Sequence, residues 1–339
     1  MTKQSGICSQ HRIPTRWFPE RIAVLFLTEG GRRLADFILA AIPGAQQVAN
    51  DGPVAKRLAR LWRQYDGFVC IMAAGIVVRA VAPLVGDKGS DPCVVVMDEK
   101  GEFAVSLLAG HLGGGNDLAR RVAAATGGRP VITTASDVLG HTALDLWMRD
   151  NDLVAGDGVR VTAASARLVN SGRLRVRCEV GLDLPGDFEA VAEQAEADVV
   201  VTLRPQPADG PLFLHPRRLV VGVGCNRDTA AAELESAFAE LLAERVLTPL
   251  AVRNLASITL KRDEPGLLAF AAAHGWRIDF FDQKQLNRIP LTAPSATVHR
   301  ATGAFGVAEP AALLSAGTDQ LLVEKRKWKN VTMAIALAG

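Results

Sequence analysis

Ser106-Leu-Leu-Ala-Gly-His-Leu-Gly-Gly-Gly-Asn-Asp117 runs from an apolar strand, predicted over residues 103–107, through a glycine-rich turn into a helix predicted over 118–125. Strand, tight turn and helix in immediate succession is the repeating step of an α/β fold. Gly110, Gly113, Gly114 and Gly115 let the backbone turn sharply and let another group approach it closely. Asn116 or Asp117 is the expected N-cap, and Leu118, Val122 and Ala125 form the apolar face of the helix. The first helical N–H groups then point back at the turn, an arrangement that suits a carboxylate or an oxyanion. His111, in mid-turn, has an unperturbed pKa near neutrality and is the candidate proton carrier. Taken alone, the glycines favour a plain strand-to-helix turn with a capping Asn. No Gly-Lys-Ser/Thr follows, so this is not a P-loop, and the spacing of a dinucleotide fingerprint is absent.

Outward from this turn the alternation continues, with strands predicted at 22–27, 67–72, 93–97 and 130–133 and helices at 31–41, 53–64 and 140–149. These strands are nearly all apolar instead of alternating, as in a sheet covered on both faces. The expected fold class is α/β. A flexible tail, 1–20, precedes an N-terminal α/β sheet domain, 21–150. A small α/β middle unit, 151–211, opens on the polar joint after Asp150, with a helix at 162–170 and strands at 174–180 and 198–203. It closes on Arg204-Pro-Gln-Pro-Ala-Asp-Gly-Pro211, a linker by composition because its prolines continue neither helix nor sheet. A C-terminal three-layer α/β domain, 212–339, carries strands at 218–225, 257–260, 277–281, 320–324 and 331–337 and helices at 228–243, 266–274 and 309–316. The basic stretch Lys325-Arg-Lys-Trp-Lys-Asn330 is expected as a turn between the last two strands.

In a chain of 339 residues, 38 Lys and Arg against 36 Asp and Glu leave no excess charge for nucleic acid or an anionic membrane. An anionic ligand must therefore be met by a local patch. Cys8, Cys70, Cys93, Cys178 and Cys225 form no Cys-x-x-Cys pair, which argues against a disulfide scaffold or a zinc ribbon. His141, His215, His274 and His299 lack metal-ligand spacing, so no protein-held metal is expected. Residues 1–19 contain no apolar core of a signal or anchor, and no apolar run is long enough to span a bilayer. A cytoplasmic protein without membrane or nucleic-acid partners is the expectation.

Several smaller motifs have both a ligand reading and a structural one. Gly75-Ile-Val-Val-Arg79 follows a strand, where α/β sheets gather ligands, and Arg79 is either a carboxylate clamp or a solvated helix residue. Asp87 and Lys88 lie in a polar turn. Thr133-Thr134-Ala-Ser-Asp137 ends a strand with three hydroxyls, either for an anion or for helix capping, with Asp137 read as the cap. Gly222-Val-Gly224 begins a nucleotide fingerprint but lacks its third glycine, and Arg227 there is either aimed at a carboxylate or part of a turn. Lys261 ends a strand ahead of Asp263, the expected cap, and Pro265, which fits a first helical turn. No Gly-x-Ser-x-Gly elbow supports Ser-His-Asp catalysis.

Taken in order, Gly75–Arg79, Asp87-Lys88, Asp91-Pro-Cys-Val-Val-Val-Met-Asp-Glu-Lys-Gly101, Ser106–Ala119 and Pro130-Val-Ile-Thr-Thr-Ala-Ser-Asp137 resemble the CbiG family of cobalamin biosynthesis. Gly222-Val-Gly-Cys-Asn-Arg227, Leu260-Lys-Arg-Asp-Glu-Pro-Gly266, Pro294-Ser295, Thr302-Gly303, Gly306-Val-Ala-Glu309, Lys325 and Asn330-Val-Thr332 extend the resemblance to that family's C-terminal, CobE-like domain. The resemblance implies a cobalt-precorrin-5A hydrolase, which opens a δ-lactone on a cobalt-bearing tetrapyrrole and releases carbon 20 and its methyl as acetaldehyde. The cobalt belongs to the substrate, and no further cofactor is implied. A macrocycle fringed with carboxylates calls for dispersed cations, for which Arg79, Lys88, Arg227, Lys261 and Lys325 stand as candidates. Gly75, Asn116, Thr133, Thr134, Gly222 and Gly224 complete the candidate binding set. The amides of Gly113, Gly114 and Gly115 are candidates for holding the lactone oxyanion, and His111 for activating the water. The alternative is a non-catalytic tetrapyrrole-binding or channelling protein of the same pathway, and transient contact with neighbouring pathway enzymes fits either reading. A nucleotide-dependent oxidoreductase is disfavoured by the incomplete glycine fingerprints.

Overall fold

A computed structural model describes residues 19–86, 90–291 and 294–339. The candidate Lys88, together with Asp87, Cys8 and nearly all of the expected tail, lies outside the described residues. The chain divides into two compact units, residues up to 150 with 165–172, and 151–164 with 173–339.

In the first unit the elements alternate as β1 (Ile22–Phe26), α1 (Glu29–Ala41), β2 (Ala45–Gln47), α2 (Val54–Leu61), β3 (Gly67–Ile71), α3 (Ala74–Val81), β4 (Cys93–Met97), β5 (Phe103–Leu108), α4 (Gly115–Thr126), β6 (Arg129–Val131), α5 (Ala135–Leu139) and α6 (Leu144–Asp150). They form one six-stranded sheet in the order β2-β1-β3-β4-β5-β6. β1 to β4 run parallel, β5 is antiparallel to β4, and β6 is parallel to β5. Successive side chains of a strand point to opposite faces, and that alternation divides the core in two. Ile22, Val24, Val69, Val95 and Met97 pack with α1 and α4, while Ala23, Leu25, Phe68, Cys70 and Val96 pack with α2 and α3. β1, β3 and β4 are buried along their whole length, which is why they read as unbroken apolar runs.

The second unit holds two five-stranded sheets. β7 (Leu153–Ala155), α7 (Gly158–Ser171), β8 (Leu174–Cys178), β9 (Phe188–Ala190), β10 (Val199–Val201) and β11 (Leu212–Pro216) supply a sheet ordered β7-β11-β10-β8-β9, although the second half of α7 groups with the first unit. Because β11 pairs with β10 and β7, this sheet continues past the proline-rich stretch to Pro216, beyond the break expected at residue 211. The last sheet, ordered β14-β13-β12-β16-β15, comprises β12 (Leu219–Cys225), β13 (Val252–Ile258), β14 (Ile278–Phe281), β15 (Leu321–Lys327) and β16 (Val331–Leu337). α8 (Ala231–Arg245) and α9 (Pro265–His274) cover one face of it, and α10 (Gln283–Leu286) and α12 (Ala308–Ala316) cover the other, with α11 (Ala296–Thr302) between them in sequence. The first half of the basic stretch, Lys325–Lys327, is strand, since β15 runs through Lys327 and pairs with β16, and residues 328–330 make the turn between the two.

One further local expectation changes. The helix expected over 140–149 begins only at Leu144 as α6, because Gly140 lies in the left-handed region (φ 71°) as the C-cap of a separate short helix, α5. Among the described residues no helix is long and apolar enough to cross a membrane.

Candidate active site

The glycine turn leaves β5 through Ala109, itself at positive φ (50°), and enters α4 through Gly114 at φ 79°, a conformation that favours glycine. The turn closes on itself: Gly114 N donates to His111 O (2.9 Å), Gly115 N to Ala109 O (3.1 Å) and Asn116 N to Gly110 O (2.9 Å). Two of the three amides expected to face an oxyanion are therefore already spent on turn carbonyls. Asn116 is not the cap; it lies in the first turn of α4 and is buried. A side chain at position 110 would put its Cβ 2.6 Å from Asn116 Oδ1, so only glycine lets the turn lie against that amide.

Because β6 runs parallel to β5, its end delivers Thr133, Thr134 and α5 to the same sheet edge as the turn. Asn116 Nδ2 donates to Thr134 Oγ1 (3.2 Å) and to Asp137 Oδ2 (2.9 Å). Asp137, expected as a cap, is instead the centre of a polar cluster. It accepts from His111 Nε2 (2.8 Å) through Oδ2 and from Arg120 Nη2 through Oδ1. Ser136 Oγ stands 3.2 Å from His111 Nε2, and Asp145 of α6 faces the other ring nitrogen, with Oδ1 3.4 Å from Nδ1.

These contacts set the charges. His111 is raised above its ordinary value of 6.5, chiefly by Asp145, against burial, with Asp137 adding to the rise. Burial works against ionising either carboxylate. Arg120 and His111 nonetheless hold Asp137 below the usual carboxylate range, and His111 does the same for Asp145. Both carboxylates therefore favour the imidazolium over the neutral ring, and His111 holds a proton more firmly than a free histidine does.

Asp145 and Arg120 were not among the residues singled out from sequence, and Ser136 entered only as the third hydroxyl of the Thr133–Asp137 motif. Asp145 carries no motif, and its approach to the turn depends on the break at Gly140. Arg120 had a readable signal, since it stands four residues after Asn116 on one helical face.

Within the first unit, Gly75 and Arg79 stand apart from this cluster. Leu108 pairs with Val94 at the beginning of β4, whereas Gly75 and Arg79 follow the end of β3. They occupy the opposite edge of the sheet, about 16 Å away for a five-residue strand at ~3.3 Å per residue. Arg79 is exposed and donates to Gly75 O (3.0 Å). At the same edge lies a groove of about 450 Å³ lined by Thr28, Ile71, Ala74, Ile76, Glu99 and Phe103, in which Thr28 Oγ1 donates to Glu99 Oε1 (2.8 Å).

In the second unit Arg227, Lys261 and Lys325 lie toward the edge at which β12 and β13 end, and each meets a carboxylate of the chain itself. Arg227 Nη1 is 3.0 Å from Asp263, Lys261 Nζ 2.8 Å from Glu264, and Lys325 Nζ 3.5 Å from Glu309. Asp263, expected to cap α9, pairs with Arg227 while Glu264 occupies the N-cap position, and Pro265 opens the helix as expected. Gly222 is a packing residue, because a Cβ there would lie 1.8 Å from Ala308 O on α12. Gly224 is similarly confined, 2.6 Å from Thr332 Oγ1. Gly222→Ala is therefore expected to cost about 3 kcal/mol or more by forcing β12 from α12, measured as a loss of unfolding free energy in denaturant.

Two family models, described as "Cobalamin synthesis G N-terminal" and "Cobalamin synthesis G C-terminus", match residues 56–137 and 219–336. The chain is 39% identical to the cobalt-precorrin-5A hydrolase of Priestia megaterium over 307 residues, 84% of this chain and 82% of that protein. It is 35% identical to the cobalt-precorrin-5A hydrolase of Salmonella typhimurium, covering 94% of this chain and 98% of that protein. Protein CobE of a Sinorhizobium species matches 35% of the chain at 36% identity, over 79% of its own length. With both modules present and likeness to the two hydrolases over most of its length, the chain belongs to the cobalamin synthesis G family.

Proposed function

We propose that this chain opens the δ-lactone of cobalt-precorrin-5A and releases acetaldehyde, giving cobalt-precorrin-5B. The observation that carries the reading is the extent of the likeness. The relatives that bear the hydrolase name match across both modules, whereas a protein matching about a third of the chain bears a different name. This weighs against a purely binding or channelling role.

The reaction consumes one water. Its oxygen bonds to the lactone carbonyl carbon, the ring C–O bond breaks, and the freed carbon-20 oxygen receives a proton. In the second stage that hydroxyl gives its proton up, a carbonyl forms, and the carbon–carbon bond to the macrocycle breaks with its electron pair passing to the ring. Both stages need one group that accepts and returns a proton, and His111 is the group we assign. The flanking Asp137 and Asp145 stabilise the imidazolium that forms when it accepts one, as the carboxylate of a hydrolytic triad does. Thr133, Thr134 and Asn116 frame the same edge.

Purified protein incubated with cobalt-precorrin-5A should release acetaldehyde in step with loss of substrate, followed by trapping the aldehyde and by mass spectrometry. Substrate that binds and stays intact would establish the binding alternative.

A further inference from the structure

We infer that Asp137 is the positioning residue of the His111 base and that Nδ1, on the Asp145 side, is the nitrogen that meets the reacting water; this rests on the hydrolase reading above. The two ring nitrogens have unequal surroundings. Nε2 lies 2.8 Å from Asp137 Oδ2, with Ser136 Oγ beside it at 3.2 Å. Asp137 is itself gripped from α4, where Asn116 and Arg120, one turn apart, donate to its two oxygens. A carboxylate so fixed holds the ring in one orientation and keeps a proton on Nε2.

Nδ1 has a looser partner. Its 3.4 Å separation from Asp145 Oδ1 exceeds a good N–H···O distance, and that oxygen also accepts from Leu146 N. Asp145 is also the more exposed carboxylate, at 29% against 20% for Asp137. Once Nδ1 has lost its proton, a water that takes the place of Asp145 against it gives its proton to Nδ1 as its oxygen attacks the lactone carbonyl. Nδ1–H then protonates the leaving carbon-20 oxygen. In the second stage Nδ1 takes the hydroxyl proton as acetaldehyde departs. Nε2–H stays with Asp137 throughout. The charged groups facing the ring are Asp137 from α5 and Asp145 from α6, with Arg120 of α4 behind Asp137.

Three variants of the full chain and two readouts test this. Asp137→Asn, which no longer fixes the tautomer, should lower kcat for acetaldehyde release about 10²–10³-fold with KM nearly unchanged. Asp145→Asn should lower kcat by less than about tenfold and move the acidic limb of the rate profile to lower pH, because the carboxylate that favours the imidazolium is gone. Arg120→Gln, which loosens Asp137 but leaves it charged, should fall between them and keeps the test open if Asp137→Asn does not fold. Ring 15N shifts of His111 read the tautomer without substrate: the neutral wild-type ring should carry its proton on Nε2, and Asp137→Asn should lose that preference. An Nδ1–H tautomer in the wild type, or full kcat in Asp137→Asn, overturns the inference. Wild-type protein with the Nε2–H tautomer but no acetaldehyde release overturns the hydrolase reading instead.

Discussion

His111→Ala is expected to lower kcat for acetaldehyde release about 10³-fold, inside the 10²–10⁴ that a positioned acid–base group supplies. KM should stay within about threefold, because a proton carrier contributes to the transition state more than to substrate binding. The ring is largely enclosed, 17% exposed, and bridges two carboxylates, so its removal also has a structural effect. His111→Gln separates the two, since it keeps a donor toward Asp137 yet cannot cycle a proton. Both variants should therefore fall to a similar rate, with the glutamine form melting closer to the wild type in circular dichroism. A rate within about threefold of the wild type, with substrate bound, would remove His111 from the chemistry.

The pH dependence has a definite sign. Asp145 and Asp137 favour the protonated ring, so the neutral, base-competent form appears only as pH rises through a value above the ordinary 6.5. The wild-type rate should climb through that region and vanish below it. Stability runs the other way. The contribution of this ion cluster is fullest below the unfolded-state pKa, about 6.5, and is lost as pH rises through the raised folded value. Activity therefore increases over the same interval in which the cluster stops supporting the fold.

Burial and pairing explain which parts of this protein were legible in the sequence. β4 was readable to the residue because Cys93–Met97 is covered on both faces and had to be apolar throughout. β2 and β9 were not anticipated: Ala45–Gln47 and Phe188–Ala190 are three-residue strands, mostly exposed, held by pairing to one neighbour that local sequence does not reveal. The glycine turn was visible as a special backbone, but its amides had an internal use that composition does not record. Asp137 was visible as a polar residue entering a helix, and its role changed because β6 carries it against a turn 26 positions earlier. Motif reading brought His111, Asn116, Thr134 and Asp137 into view. It also grouped Arg79 with them, and only the reversal of β5 against β4 places that residue at the other edge. The Gly222 and Gly224 pattern suggested a ligand because close approach to a helix and close approach to a phosphate make the same demand for a missing Cβ.

Lys261 presents the sharpest choice between the two kinds of role, and Lys261→Ala is expected to destabilise the protein by about 3 kcal/mol while leaving KM for substrate within about twofold. Its partner decides this. Glu264 is fully buried, with Lys261 Nζ at 2.8 Å from one oxygen and the Asp228 amide at 2.7 Å from the other. Asp228 sits at positive φ (59°), so the same carboxylate secures a turn that an aspartate adopts at some cost. Burial alone would push Glu264 upward, but Lys261 and the Asp228 amide hold it below the usual carboxylate range. Without Lys261 the buried charge keeps the amide and an Arg227 guanidinium 3.8 Å away, which places the cost near the low end of that for a broken buried pair, about 3–5 kcal/mol. A depressed carboxylate stabilises the fold above its unfolded pKa of about 4.3, and that support disappears as pH falls through the lower folded value. In Lys261→Ala the folded pKa rises, so less of this support is present at neutral pH. The difference in unfolding free energy between wild type and variant should therefore narrow as the medium is acidified from pH 7 toward the carboxylate range. Adding Glu264→Gln to Lys261→Ala removes the stranded charge and should recover part of the loss, the signature of a coupled pair. Unchanged denaturant unfolding together with a tenfold rise in KM would instead make Lys261 a cation for a substrate carboxylate, with Glu264 merely holding its place until substrate arrives.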